Sequence, residues 1–321
     1  MTNKLRHVSP TAGVFHFRRL FLFGVALLFA LTVAPSGEIG LNSLKAATRF
    51  PKPETSPTGE SRFAKLDGAR IHYVNYGKGS EALVLIHGWT MNVDNWRDQI
   101  PDLAKRNRVI AIDLPGHGQS DKPQITYSMD LFARAVDAVL RDAKVKRAVL
   151  VGHSMGTPVA RQFYRKYPEK TLGIVIVDGP LQPFVDKATM DGMLAGFRGP
   201  NYREAGSQLL TMLMGPTLSV EARDRIKASA LSTPQYVSAS AMEGMADASI
   251  WGGDKINVPV LGVFAKNLLF QASIDAPYRE LAPRMELQMW EGTGHFIMME
   301  KPKEFNAAVL AFLDKNELLK K

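Results

Sequence analysis

The chain has 321 residues, 45% of them apolar and 22% charged, which is enough to bury a sizeable core as one large α/β domain or two smaller ones. Its net charge of +9 is uneven: Lys4, Arg6, Arg18, Arg19 and Lys45 against Glu38 put +4 into residues 1–48, and the remainder has no Lys/Arg block interleaved with aromatics, so a nucleic-acid footprint is excluded. With no cysteine there is no disulfide, thiol nucleophile or Cys-based metal site.

Taken in chain order, the first segment has the layout of an export signal. Basic residues end at Arg18-Arg19, and Leu20 to Ala34 then runs fifteen residues without a charge, short for a membrane span and ordinary for the core of a signal peptide. Arg18-Arg19-Leu20-Phe21-Leu22 is similar in part to a twin-arginine signal, from which Phe17 and Phe23 depart. Residues 1–48 are therefore expected to be an export signal, by the twin-arginine route or as a Sec signal with incidental arginines, giving a periplasmic or secreted protein; the cut is left open, with Ala46-Ala47 one candidate and Ala34 disfavoured by Pro35. Retained, the same segment is an anchor helix and the one membrane attachment the sequence offers. Residues 49–61 (RFPKPETSPTGES) lack apolar periodicity and read as a linker.

The domain, residues 62–321, opens with a hairpin: Arg62 to Leu66 and Arg70 to Tyr76 flank the turn pair Asp67-Gly68. Near-continuous apolar runs follow at Ala82–Ile86, Arg108–Ile112, Arg147–Val151, Leu172–Val177, Val258–Phe264 and Met285–Trp290, as expected for strands covered on both faces. Helical stretches lie between them near 95–105, 128–143, 156–167 and 303–316. Strand–helix alternation implies a mostly parallel sheet flanked by helices. The eighty-odd residues between Val177 and Val258 are too many for a plain connection. Met190, Met193, Leu194, Leu209, Leu210, Met212, Leu213, Met242 and Met245 fall there at helical spacing, so a helical cap is expected at about 181–250.

Gly152-His153-Ser154-Met155-Gly156 directly follows a strand and directly precedes a helix, the setting of a G-x-S-x-G nucleophile elbow. The turn leaves room only for very small residues at 152 and 156 and lifts the Ser154 hydroxyl clear of the sheet, near the positive end of the next helix. A serine hydroxyl needs a base to take its proton. Of the seven histidines only His295, in Gly292-Thr293-Gly294-His295-Phe296, lies beyond Ser154, in a loop after the last strand.

From about residue 62 to 316 the chain resembles the α/β-hydrolase family with a helical cap after the sixth strand, which includes esterases, lactonases and haloperoxidase-like hydrolases. Leu85-Ile86-His87-Gly88-Trp89 and Asp113-Leu114-Pro115-Gly116-His117-Gly118-Gln119-Ser120 carry the likeness further. The resemblance implies an oxyanion hole from the backbone N–H groups of Trp89 and Met155. It gives Asp113, His87, His117 and His153 structural places, with no cofactor and no metal. In most of the family the triad acid follows the seventh strand; here Val260 to Leu269 contains no carboxylate. Asp178, after the sixth strand and 24 residues beyond Ser154, resembles the acid of relatives that place it there. Asp275 is the rival, and a Ser–His dyad or another group in place of the acid the third option.

Ser154 disfavours the relatives with an aspartate nucleophile, the haloalkane dehalogenases and epoxide hydrolases. Acylation of serine followed by water attack implies a carboxylic ester, with a lactonase or a carbon–carbon bond hydrolase as alternatives on the same residues. The cap's Met and Leu residues either line a pocket for a partly apolar small molecule or form the cap's own core. A non-catalytic ligand-binding protein of the same fold is the alternative from another class; it has no need of Ser154 and His295.

Overall fold

A computed structural model describes residues 58–266 and 274–319; the expected export signal and most of the linker lie outside the described residues. Strands β1 (Glu60–Leu66) and β2 (Ala69–Tyr76) form the expected hairpin. Asp67 and Gly68 both take positive φ, +48° and +85°, the two left-handed positions of a tight hairpin turn. Strand β1 starts before the expected Arg62, because Glu60 and Ser61 pair with Asn75 and Val74 of the longer β2.

The sheet continues with β3 (Glu81–Ile86), β4 (Val109–Ile112), β5 (Arg147–His153), β6 (Thr171–Val177), β7 (Val260–Ala265) and β8 (Met285–Trp290). The eight strands run β1-β2-β4-β3-β5-β6-β7-β8 across the sheet, antiparallel where β2 meets β1 and β4 and parallel elsewhere. Between them come α1 (Ile100–Leu103), α2 (Met129–Asp142) and α3 (Gly156–Lys166). Where one helix was expected near 95–105, a turn of 3₁₀ helix at Val93–Trp96 is followed by the single turn of α1. Asn92 caps the former, and Pro101 can begin a helix but donates no N–H to extend a preceding one.

Between β6 and β7 stand α4 (Lys187–Arg198), α5 (Tyr202–Leu213), α6 (Val220–Ser232) and α7 (Gln235–Ala246). Asp186 and Ser219 cap α4 and α6 by accepting from the N–H groups of Thr189 and Ala222. The chain closes with α8 (Asp275–Leu281), α9 (Ile297–Glu300) and α10 (Pro302–Lys315). Among the described residues no helix is long and apolar enough to cross a membrane.

Alternation along the strands divides the core. Ala82, Val84 and Ile86 of β3 pack with Phe132 and Val136 of α2 and with Val159 and Phe163 of α3. Leu83 and Leu85 pack on the other face with Trp96, Leu103 of α1, and Phe305 and Val309 of α10. Each fully buried Leu or Phe contributes about 1.5–3 kcal/mol. Both faces being covered is why these strands read as unbroken apolar runs, and it leaves the strands' C-terminal ends as the place where polar groups gather.

Candidate active site

Strand β5 hands over to α3 through two residues. Ser154 sits at φ +52°, a left-handed conformation that costs a non-glycine residue about 1–2 kcal/mol. Its N–H donates to the Val177 carbonyl at the end of β6 (3.0 Å), and its carbonyl accepts from Thr157 (2.9 Å). A Cβ on Gly152 would overlap the carbonyl of Gly156, and one on Gly156 would overlap the carbonyl of Ile86. Those two positions must be glycine for the turn to close. The Ser154 side chain is partly exposed and its hydroxyl makes no hydrogen bond to a described residue.

Asp178 follows β6 in the next parallel strand position, also at positive φ (+45°), and is 0% exposed. Its N–H donates to Val263 (2.9 Å). Its carboxylate accepts from the Ala265 N–H through Oδ1 (2.7 Å) and from the His295 ring through Oδ2, with Nδ1 at 2.7 Å. Strand β7, which lacks a carboxylate of its own, thus supplies an N–H that fixes one oxygen of Asp178. Asp275 is placed elsewhere: it opens α8, its side chain is 54% exposed, and it binds Arg279 at 2.6 Å.

His295 is 6% exposed and faces the same cavity as Ser154. Its loop is fixed at several points that carry no local sequence signal. The His295 N–H donates to Leu213 O at the end of cap helix α5 (2.9 Å), and its carbonyl accepts from His153 Nε2 (2.9 Å). Glu300 accepts from the Gly294 N–H (2.8 Å) and from the Thr217 hydroxyl (2.7 Å). The cap and the histidine loop are therefore joined by main-chain and carboxylate bonds, which no local pattern encodes.

Trp89 and Met155 border Ser154 from the β3 loop and from the start of α3. Gly88 brings that loop close: a Cβ there would stand 3.1 Å from Ser154 Cβ. The backbone N–H groups of Trp89 and Met155 have no acceptor among the described residues, although both residues are buried. Two buried, unpaired donors are rare enough to require an explanation.

The remaining histidines support the loops. His87 Nδ1 donates to Gly88 O (2.8 Å) while Nε2 accepts from the Leu114 N–H (3.0 Å), and burial lowers its pKa. His117 donates to Pro115 O (3.0 Å) and is brought down to about 3 by burial. Burial, then the neighbouring His295, put His153 well below the ordinary value. Away from this cavity a serine–histidine–aspartate chain is hydrogen-bonded throughout: Ser61 Oγ lies 2.9 Å from His72 Nε2, and His72 Nδ1 lies 2.7 Å from Asp113 Oδ2. Its carboxylate also accepts from the Val93 and Gln119 N–H groups, and Ser61 is on the edge strand β1, so this chain ties the hairpin to the loop after β4. Burial pushes the Asp113 carboxyl up, but His72, His87 and the two N–H groups outweigh it and hold it below the usual range. Among the described residues no group of three or more His, Cys, Asp or Glu is close enough to hold a metal ion.

The cavity over Ser154 has a volume of about 100 Å³. Phe184, Met193, Leu209, Leu213, Met242 and Met245 form much of its wall, while Met190 and Leu194 are buried in the core behind it. The cap's apolar residues thus divide between wall and core.

Comparison with known proteins agrees with this fold. Residues 81–302 match the family model of the alpha/beta hydrolase fold. The chain is 28% identical over 296 residues to a dihydrolipoyllysine-residue acetyltransferase component of an acetoin cleaving system from Cupriavidus necator, covering 88% of this chain and 77% of that protein. It is 25% identical over 276 residues to epoxide hydrolase 3 of Mus musculus, covering 78% and 75%. Among solved structures it is similar to Est816, described as an N-acyl homoserine lactone degrading enzyme, with a TM-score of 0.68 and 29% identity over 78% of this chain and 100% of that one.

Proposed function

Because the chain belongs to the alpha/beta hydrolase fold family, we propose that it is a serine hydrolase that cleaves carboxylic esters through an acyl-enzyme. The observation that carries this reading is the His295–Asp178 hydrogen bond of 2.7 Å opening on the cavity that also holds Ser154. In this mechanism Asp178 keeps the Nδ1 proton on His295, which leaves Nε2 as the base for the Ser154 hydroxyl. Ser154 Oγ attacks the ester carbonyl, and the N–H groups of Trp89 and Met155 take the developing oxyanion. His295 then protonates the leaving alcohol and activates the water that releases the acid. A site whose elbow bears serine has no carboxylate at that position with which to open an epoxide by direct attack.

The apolar wall from the cap favours an acyl group longer than acetyl. The same steps open a lactone, and the similarity to Est816 favours testing lactones beside linear esters. Turnover of p-nitrophenyl esters of graded acyl length, with Ser154→Ala as control, tests the proposal. The expected result is loss of hydrolysis and of fluorophosphonate labelling in a variant that remains folded; full activity in that variant would overturn it.

A further inference from the structure

A second chamber, of about 130 Å³, lies in the cap on the other side of Trp89, and Trp89 and Leu210 form walls of both it and the cavity over Ser154. The Trp89 indole is fixed as a partition: its Nε1 donates to Ser238 O (2.8 Å) and its ring meets Phe197 with centroids 4.7 Å apart. Gly206, in the middle of α5, contributes to the chamber wall. A glycine inside a helix is destabilising relative to alanine, and close packing normally explains one. Here nothing stands within 4 Å of where a Cβ would be. The missing side chain is chamber volume.

The mouth has a definite chemistry. Leu231, 59% exposed, forms an apolar lip. Arg203 and Lys227 flank it, and neither has a carboxylate partner among the described residues; Arg203 rests on the Tyr202 ring and hydroxyl. No Asp or Glu lines the chamber. Most basic side chains on α2 and α3 are paired, as Arg134, Lys166 and Arg165 are with Asp67, Asp130 and Asp254. Two unpaired cations over an apolar interior fit an anionic head on an apolar body.

We infer that this chamber is a second ligand site, distinct from the cavity over Ser154, for a small apolar carboxylate. A cavity of about 150 Å³ accommodates a benzene-sized body, so the tail it holds has about six carbons. The head lies at Arg203 and Lys227, and the tail reaches Phe197 and the outer face of Trp89.

Calorimetric titration of the full chain with hexanoate and with 1-hexanol tests this. Hexanoate should bind about tenfold tighter, the range for two exposed ion pairs. The Arg203→Gln/Lys227→Gln double variant should bring hexanoate to the level of hexanol, and Gly206→Leu, which fills the chamber, should abolish binding of both. Turnover of p-nitrophenyl acetate should stay within about twofold of wild type in these variants, showing that the fold is kept. Ser154→Ala should bind hexanoate as wild type does, so the site is judged apart from the catalytic proposal. Equal affinity for hexanoate and hexanol in the wild type, no binding of either, or undiminished binding in Gly206→Leu would overturn the inference.

Discussion

Replacing Asp178 by asparagine exchanges one carboxylate oxygen for an amide nitrogen and leaves the volume unchanged. Among the hydrogen bonds of the buried carboxylate are those it accepts from Ala265 N–H and from His295 Nδ1, both at 2.7 Å. An asparagine, with one amide oxygen, can accept from only one of these two donors. With its oxygen toward Ala265, its NH₂ faces the ring, so Nδ1 must become an acceptor and the proton moves to Nε2, where the base is needed. With its oxygen toward the ring, the NH₂ opposes the Ala265 N–H, a buried clash of donors costing about 1–3 kcal/mol. The first arrangement wins and the wrong tautomer results. Loss of the orienting acid costs about 10⁴-fold in turnover in a comparable triad, or about 5.4 kcal/mol in the barrier. Asp178→Asn should therefore fall towards the Ser154→Ala background on p-nitrophenyl butyrate. Asp275→Asn, which removes only an exposed pair with Arg279, should stay within about twofold of wild type. An Asp178→Asn variant with a tenth or more of wild-type kcat, or the reverse ranking, would refute the assignment.

Strain at the elbow predicts a trade of stability against activity: Ser154→Gly should be inactive yet about 1 kcal/mol more stable to urea than Ser154→Ala, because only glycine relieves the positive φ. Equal midpoints for the two would count against that account. The buried histidines predict a stability that falls in acid. His117 is held at about 3 against an ordinary 6.5, so below about pH 6.5 the unfolded chain binds a proton that the folded chain refuses. Stability is complete above that pH and declines towards pH 3 by about 1.4 kcal/mol per unit for this ring alone. His117→Gln should flatten urea-denaturation midpoints plotted against pH by that amount, and an unaltered slope would remove the explanation. For residues 1–48 we propose loss on export, checked by N-terminal sequencing of protein from the native host; recovery of Met1 in the membrane fraction favours the anchor.

Much of the fold was legible because burial on both faces writes strands as apolar runs, and Gly152 and Gly156 write the elbow as a motif. The hairpin turn was legible for the same reason: Asp67-Gly68 is a local instruction. Where local instructions conflict, the reading was coarser. Pro101 interrupts an amphipathic stretch, so an expected helix is instead two single turns. The seven residues of α8 are too few to declare a period, and its first residue, Asp275, therefore stood as a loop candidate for the acid.

The site itself was legible only as far as it is local. Ser154 and His295 stand out by motif and by uniqueness, but the partner of His295 depends on which strand end lies beside its loop. Spacing brought Asp178 forward without deciding for it. What decides the geometry is nonlocal: β6 and β7 are neighbours, and the Ala265 N–H fills one lone pair of a carboxylate whose other oxygen faces the ring. The same holds for the cap. Met190 and Met193 share a helical period, yet one is core and the other cavity wall, because a period of 3.6 specifies a face and not the depth of what lies opposite. The bonds from Leu213 O to His295 N–H and from Glu300 to Thr217 and Gly294 then make the cap part of the frame that aims the histidine. The helices that shape the cavity also hold His295, so on the proposed mechanism a change in the cap for a new substrate must leave the end of α5 where it is.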